Sequence, residues 1–295
     1  MKIATYWHGG TRQVGRLSGD GRSVTPLALG EEGRDRGALA LVERMAQGLP
    51  VPEAAAPALP LEAVRLDAPL PRPRRNIFCV GKNYHEHARE FARSGFDTSL
   101  AKPGDDIPSH PIIFSKVPES VVGPGVPIRI PAGVSEAIDY EAELAVVIGR
   151  GGRGIPADRA MGHVWGYTII NDVTARDWQQ RHKQWLLGKS FDTFCPMGPW
   201  LVTADELEGA DTRVRCWVND ELRQDARTTD LIFDIPTLIA TISAGITLHP
   251  GDLIATGTPV GVGIGFTPPK YLRPGDRVRI EIDGIGTLEN PVEGA

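Results

Sequence analysis

Asp139-Tyr140-Glu141-Ala142-Glu143-Leu144-Ala145-Val146-Val147-Ile148-Gly149 combines two opposed chemistries in one short run. From Leu144 onward it is apolar and rich in β-branched residues, the pattern of a buried strand. Its opening carries acids at three alternate positions. Side chains of a strand alternate faces, so an unbroken strand sets Asp139, Glu141 and Glu143 on one side, about 7 Å from one to the next. Carboxylates crowded beside an apolar strand repel one another and resist desolvation unless a cation sits among them. The stretch therefore reads either as a metal site or as a solvated acidic face.

The chain has 295 residues, enough for a large core with a small appendage. A formal net charge of −5 argues against a nucleic-acid binder. The one basic run, Pro71-Arg72-Pro73-Arg74-Arg75, reads as a solvated linker. No long apolar run opens the chain, so neither a signal peptide nor a membrane span is expected, and a cytoplasmic location is. Cys79, Cys195 and Cys216 are odd in number, widely spaced and free of a CxxC pair. They read as packed thiols in a reducing compartment. The 34 glycines and 25 prolines follow no repeat, which implies many turns, short strands and a β-rich fold.

Residues 1–70 read as a small N-terminal unit, with strands at 2–7 and 11–17, a helix at 37–47 and a proline-rich connector at 50–60. They carry no evident chemistry, and His8 is a lone histidine. Residues 71–295 form the main unit. A short strand at 76–80 runs into Gly81-Lys82-Asn83-Tyr84-His85-Glu86-His87-Ala88-Arg89-Glu90, where Asn83 is placed to cap a helix. On that helix His87 and Glu90 are neighbours at i, i+3. The pair reads as a histidine base oriented by a carboxylate, or as part of a solvated charged face. The polar segment 94–110 is long for a loop and suits a lid.

Gly149-Arg150-Gly151-Gly152-Arg153-Gly154 matches G-x-G-x-x-G literally. Too little helix follows it for a dinucleotide fold, so it reads as a hairpin or loop. A second apolar strand at 164–170 ends in Asn171-Asp172. Asp172 lies far enough from Glu143 for the chain to turn and pair back, which makes it a third metal ligand or a helix N-cap. Arg176 and Gln179 follow one and two turns on. Lys189, between glycine and serine, is a partnered buried lysine or a surface one. The loop Gly257 to Gly263 has amides open to an anion but lacks a P-loop lysine.

Five motifs stand in order: Gly81-Lys82-Asn83-Tyr84 with His87 and Glu90, Asp139-Tyr140-Glu141-x-Glu143-Leu144, Asn171-Asp172-Val173-Thr174-Ala175-Arg176-Asp177, Gly188-Lys189-Ser190-Phe191-Asp192 and Thr256-Gly257-Thr258-Pro259-x-Gly261-Val262-Gly263. Together they resemble the fumarylacetoacetate hydrolase (FAH) family over residues 74–295. The resemblance implies an α+β, β-rich fold, a mixed β-sandwich roll of FAH type with a small N-terminal α/β domain, built into a homodimer. It implies a cation, Mg²⁺ or Mn²⁺ with Ca²⁺ as a further option, on Glu141, Glu143 and Asp172. His87 and Glu90 match the water-activating dyad and Lys189 the lysine beside the metal. Arg176, Gln179 and Thr258 match positions facing the substrate acid, and Tyr84 and Gly257 join this substrate-binding set. The donor chemistry agrees, since three carboxylates without Cys or His describe a hard-cation site. The implied partner is a small keto acid, with no nucleic acid and no membrane. The implied reaction is hydrolysis of a C–C bond in a 2,4-diketo acid, an acylpyruvate or a fumarylacetoacetate-like compound. The alternative is a decarboxylase or isomerase of a keto diacid in aromatic catabolism, like 2-hydroxyhepta-2,4-diene-1,7-dioate isomerase, or an oxaloacetate decarboxylase. The presence of both His87 and Glu90 favours hydrolysis or decarboxylation over isomerisation.

Overall fold

A computed structural model describes residues 1–93, 95 and 107–294. Most of the segment expected as a lid, 94–110, lies outside the described residues. The apolar run forms the strand Ala142–Ile148, buried at all seven positions. It lacks polar alternation because it is covered on both sides. Leu144, Val146 and Ile148 belong to one core with Ile169, Ile254, Ile280 and Leu288. Ala145 and Val147 belong to a second with Ile3, Leu39, Leu41 and Leu253. Each buried Val, Leu or Ile contributes about 1.5–3 kcal/mol, so this strand anchors both cores.

The strand pairs antiparallel with Val164–Asn171 on one side and with Leu253–Ala255 on the other. The large sheet continues from Val164–Asn171 through Cys195–Thr203, Lys2–His8, Thr11–Leu17 and Ser23–Pro26 to Leu59–Pro60. In the other direction it passes from Leu253–Ala255 to Ile77–Gly81, which is parallel to it, and then to Ile112–Lys116. A second sheet of five strands runs Glu221–Arg227, Arg213–Val218, Arg277–Ile282, Gly286–Gly294 and Ile128–Ile130. Val214, Ile280 and Leu288 of this sheet share a core with Leu144 and Ile169 of the first. The architecture is thus α+β and strand-rich, with large mixed sheets, as the sequence leads one to expect.

Local departures have local causes. The helix expected at 37–47 is present as Leu39–Ala46, and a further, unexpected helix, Gly30–Arg36, precedes it. They divide at Gly37, whose φ is 61° and where a Cβ would lie 2.6 Å from Pro71. The glycine run at 149–154 doubles back. Gly149 N–H donates to His163 O at 2.8 Å and Gly152 N–H to Leu248 O at 2.9 Å. The helix after it, Ala157–Ala160, has four residues, which leaves no dinucleotide cradle. Asn83 does not turn back to cap its helix. Its amide donates to Thr256 O at 2.8 Å and Phe233 O at 3.0 Å, and its oxygen accepts from Phe233 N–H at 2.8 Å. The three cysteines are free and buried. Among the described residues no helix is long and apolar enough to cross a membrane.

Candidate active site

Strand register builds an acid cluster. Ala142 pairs with Asn171, which sets Glu141 beside Asp172, and the Asp172 N–H donates to Glu141 O at 2.8 Å. Glu143 follows on the same strand. Ligand oxygens of Glu141, Glu143 and Asp172 all lie within 4.8 Å of one another, and all three residues are buried. Asp139 does not join them. The strand is interrupted at Tyr140-Glu141, and Asp139 belongs to a separate ladder in which Ile138–Asp139 pairs with Thr174–Ala175. Its carboxylate accepts from Gly263 N–H at 2.6 Å, Ile264 N–H at 3.0 Å and Arg176 Nε at 2.8 Å. The expected row of three acids is therefore broken, because a loop amide pair and an arginine capture its first member.

Cations fill the flanks of the cluster. Lys189 Nζ lies 2.7 Å from Glu141 Oε2 and 2.8 Å from Asp172 Oδ2. An Arg176 terminal nitrogen lies 2.7 Å from Glu141 Oε1. Burial alone would raise the Glu141 carboxyl, but Lys189 and Arg176 outweigh it and hold it well below the usual range. Glu143 fares differently. Burial, then the like charges of Asp172 and Glu141, push it well above the usual range, although Gly257 N–H donates to its Oε2 at 2.9 Å. The centre of the triad thus calls for more positive charge than its side chains supply. Buried oxygen donors with that deficit fit a hard divalent cation.

Lys116 is a member of this cluster that sequence reading overlooks. It is fully buried, and its Nζ donates to Asp172 Oδ1 at 2.7 Å, to Val173 O at 3.0 Å and to Lys189 O. It merely ends an unremarkable strand, and no motif spacing marks it. The Asp172 carboxylate is thereby held between two lysines and has no part in capping; the helix Arg176–His182 begins four residues later with Ala175 as its N-cap.

The helix His85–Arg93 brings His87 to the same place. His87 Nδ1 lies 3.1 Å from Glu90 Oε2. Glu90 is itself held by Gly261 N–H at 3.0 Å. Gly265 leaves room for the Glu90 carboxylate, since a Cβ there would collide with it. One pocket is lined by His87, Glu141, Glu143, Arg176, Gln179, Lys189 and Thr258, with Phe91, Phe114 and Trp185 as apolar wall. Gly188 lets the wall close, because a Cβ there would lie 2.6 Å from Gln179 N. Gly257 acts from behind, through its bond to Glu143. Tyr84 is not brought to this pocket. It is 2% exposed, its hydroxyl has no hydrogen-bond partner among the described residues, and it lines a neighbouring hollow with His85, Glu86 and Asp230.

The chain is similar to several known proteins. Similar over 233 residues, with 51% identity, is the oxaloacetate tautomerase YisK of Bacillus subtilis; the match covers 79% of this chain and 74% of that protein. Among solved structures, the fumarylacetoacetate hydrolase of Exiguobacterium antarcticum overlaps 100% of both chains, with a TM-score of 0.84 and 40% identity. The maleylpyruvate hydrolase of Sphingobium sp. SYK-6, in complex with manganese (II) ion and pyruvate, also covers 100% of both chains, with a TM-score of 0.76 and 30% identity. Residues 76–293 match the family model for the fumarylacetoacetate (FAA) hydrolase C-terminal region. Those residues include the acid triad, the His87–Glu90 pair, Lys116 and Lys189, and the chain belongs to the fumarylacetoacetate hydrolase family.

Proposed function

We propose that this chain interconverts the keto and enol forms of a small 2-oxo diacid, with oxaloacetate as substrate. The observation that carries the reading is the 51% identity to a protein named as an oxaloacetate tautomerase. That likeness favours the isomerase and decarboxylase alternative over the C–C hydrolysis first expected. A divalent cation, Mg²⁺ or Mn²⁺, on Glu141, Glu143 and Asp172 would supply a Lewis acid for negative charge developing on the 2-oxo group. His87 takes the proton from the carbon beside that group and delivers it to the 2-oxo oxygen to complete the enol, and the reverse direction runs the two transfers backwards. Glu90 on Nδ1 fixes the tautomer and leaves Nε2 as the reacting nitrogen. A base that can deprotonate water can equally deprotonate an activated carbon, so the dyad does not require hydrolysis. Lys189 and Arg176 keep Glu141 ionised. Phe91, Phe114 and Trp185 restrict the water that would hydrolyse or exchange the reacting group.

The test follows the ultraviolet enol band of oxaloacetate, corrected for its spontaneous change, with Mg²⁺, with Mn²⁺ and with chelator. Catalysed loss of the band without release of CO₂, abolished by chelator and restored by either cation, is the expected result. Release of CO₂ with pyruvate would make the enzyme a decarboxylase. A second reading, hydrolysis, is favoured by the hydrolase names of the two structural neighbours. It predicts cleavage of acylpyruvates to pyruvate and the matching acid, with oxaloacetate untouched.

A further inference from the structure

A hollow of about 650 Å³ surrounds the glycine run and is lined by Arg150, Arg153, Asp158, Arg159 and His163. That volume falls in the range of small-molecule sites. The hollow stands apart from the acid cluster. Glu141 comes just before the strand Ala142–Ile148 and Gly149 just after it, and seven strand residues at about 3.3 Å each set the two on the order of 20 Å apart. The loop is held firmly, with its backbone turned inward. Gly149 and Arg150 N–H both donate to His163 O, at 2.8 and 3.2 Å. Gly152 and Leu248 exchange N–H to O bonds at 2.9 and 2.8 Å, and Gly154 N–H donates to Ser243 O at 2.6 Å. Ile155 N–H donates to Ser243 Oγ at 3.0 Å. The His163 ring braces the same turn, its Nδ1–H donating to Arg150 O at 2.7 Å. With these amides spent inside the protein, an anion in the hollow is held by side chains and not by a backbone cradle.

The side chains suit that task. Arg150, Arg153 and Arg159 are exposed, and none of their guanidinium groups has a hydrogen bond or ion pair among the described residues. Other surface arginines are matched, Arg213 to Asp225, Arg215 to Asp283 and Arg227 to Asp211. Asp158 is the one acid in the lining, so three guanidinium charges less one carboxylate leave two positive charges over. That local excess sits on a chain whose formal net charge is −5. Guanidinium forks pair with phosphoryl oxygens two at a time. A phosphoryl group brings about two negative charges and three acceptor oxygens, which fits the excess and the number of forks better than a single carboxylate does.

We infer that this hollow is a second binding site, remote from the acid triad, for a soluble anion that bears a phosphoryl group. Titration calorimetry of the full chain, free of divalent cations and at fixed ionic strength, tests it with pyrophosphate and succinate as probes. Pyrophosphate is expected to bind and succinate to bind far more weakly. Arg150→Gln, Arg153→Gln and Arg159→Gln are each expected to weaken pyrophosphate about tenfold, and Arg153→Lys, which keeps the charge and loses the fork, by less than Arg153→Gln. Arg16→Gln, at an exposed arginine of the strand Thr11–Leu17 outside the hollow, is expected to leave the affinity unchanged. All these side chains are exposed, so each variant is expected to keep the wild-type unfolding curve. Absence of pyrophosphate binding in wild type, succinate binding of equal strength, binding that survives the three hollow variants, or an equal loss in Arg16→Gln would each overturn the assignment.

Discussion

Asp172→Ala is expected to abolish divalent-cation binding and to cost the fold about 3–5 kcal/mol, the usual consequence of removing one partner from a buried ion pair. The two losses share a cause. Asp172 supplies a ligand oxygen to the triad, and its other bonds are to Lys116 Nζ at 2.7 Å and Lys189 Nζ at 2.8 Å. Both ammonium groups are buried, so among the described residues alanine leaves Lys116 with its carbonyl partners and Lys189 with Glu141 and the Phe114 ring. Asp172→Asn separates the effects: it keeps the shape and some hydrogen bonds while removing the charge, so it should bind no cation yet unfold closer to wild type. Titration calorimetry with Mg²⁺ and Mn²⁺, beside urea denaturation of the same preparations, reads both quantities. Wild-type cation affinity in either variant would remove Asp172 from the ligand set.

His87→Ala is expected to lower catalysed tautomerisation by about 10²–10⁴-fold, the range for loss of a general base, while cation affinity stays at the wild-type level. Among the described residues the hydrogen bond of the His87 ring is to Glu90, at Nδ1, and not to the acid triad. Glu90→Gln is expected to cost less, because it removes the group that orients the ring and leaves the ring in place. The spontaneous rate is subtracted from the decay of the enol band, and calorimetry of the same samples reports the cation. An undiminished rate in His87→Ala would transfer the proton step to another group and undo the mechanism.

The sequence made some of this legible because certain patterns have few structural solutions. Strands at Arg213–Val218 and Arg277–Ile282 fall where alternation puts them, and Asp234 caps the helix Ile235–Ser243 by accepting from Thr237 N–H at 2.9 Å. Glu141 and Glu143, at the start of Ala142–Ile148, and Asp172, just past the end of Val164–Asn171, come together because antiparallel pairing leaves little choice of neighbour. Other features are invisible in a linear reading. The strand Cys195–Thr203 begins through Pro196, Gly198 and Pro199, residues that argue against a strand. Its place inside a large sheet, rather than its composition, makes it one. Asp139 reads as a ligand until the amides of Gly263 and Ile264, 124 and 125 residues away, are seen to take it. Lys116 carries no local signal because its meaning comes wholly from Asp172, 56 residues later.

Lys2–His8 lies against Cys195–Thr203, with Lys2 opposite Val202 and Ile3 opposite Leu201. Behind that contact, Ile3, Leu39 and Leu41 fill the core that also holds Val147 and Ile170. A chain lacking residues 1–70 would leave the Leu201–Val202 part of Cys195–Thr203 as an uncapped edge above a stripped apolar floor, the arrangement that recruits further strands from other molecules. Such a truncation would keep every residue of the catalytic pocket and still be expected to elute from size exclusion as aggregate. Residues 1–70 thus cover a sheet edge and an apolar face that lie outside the described lining of the pocket.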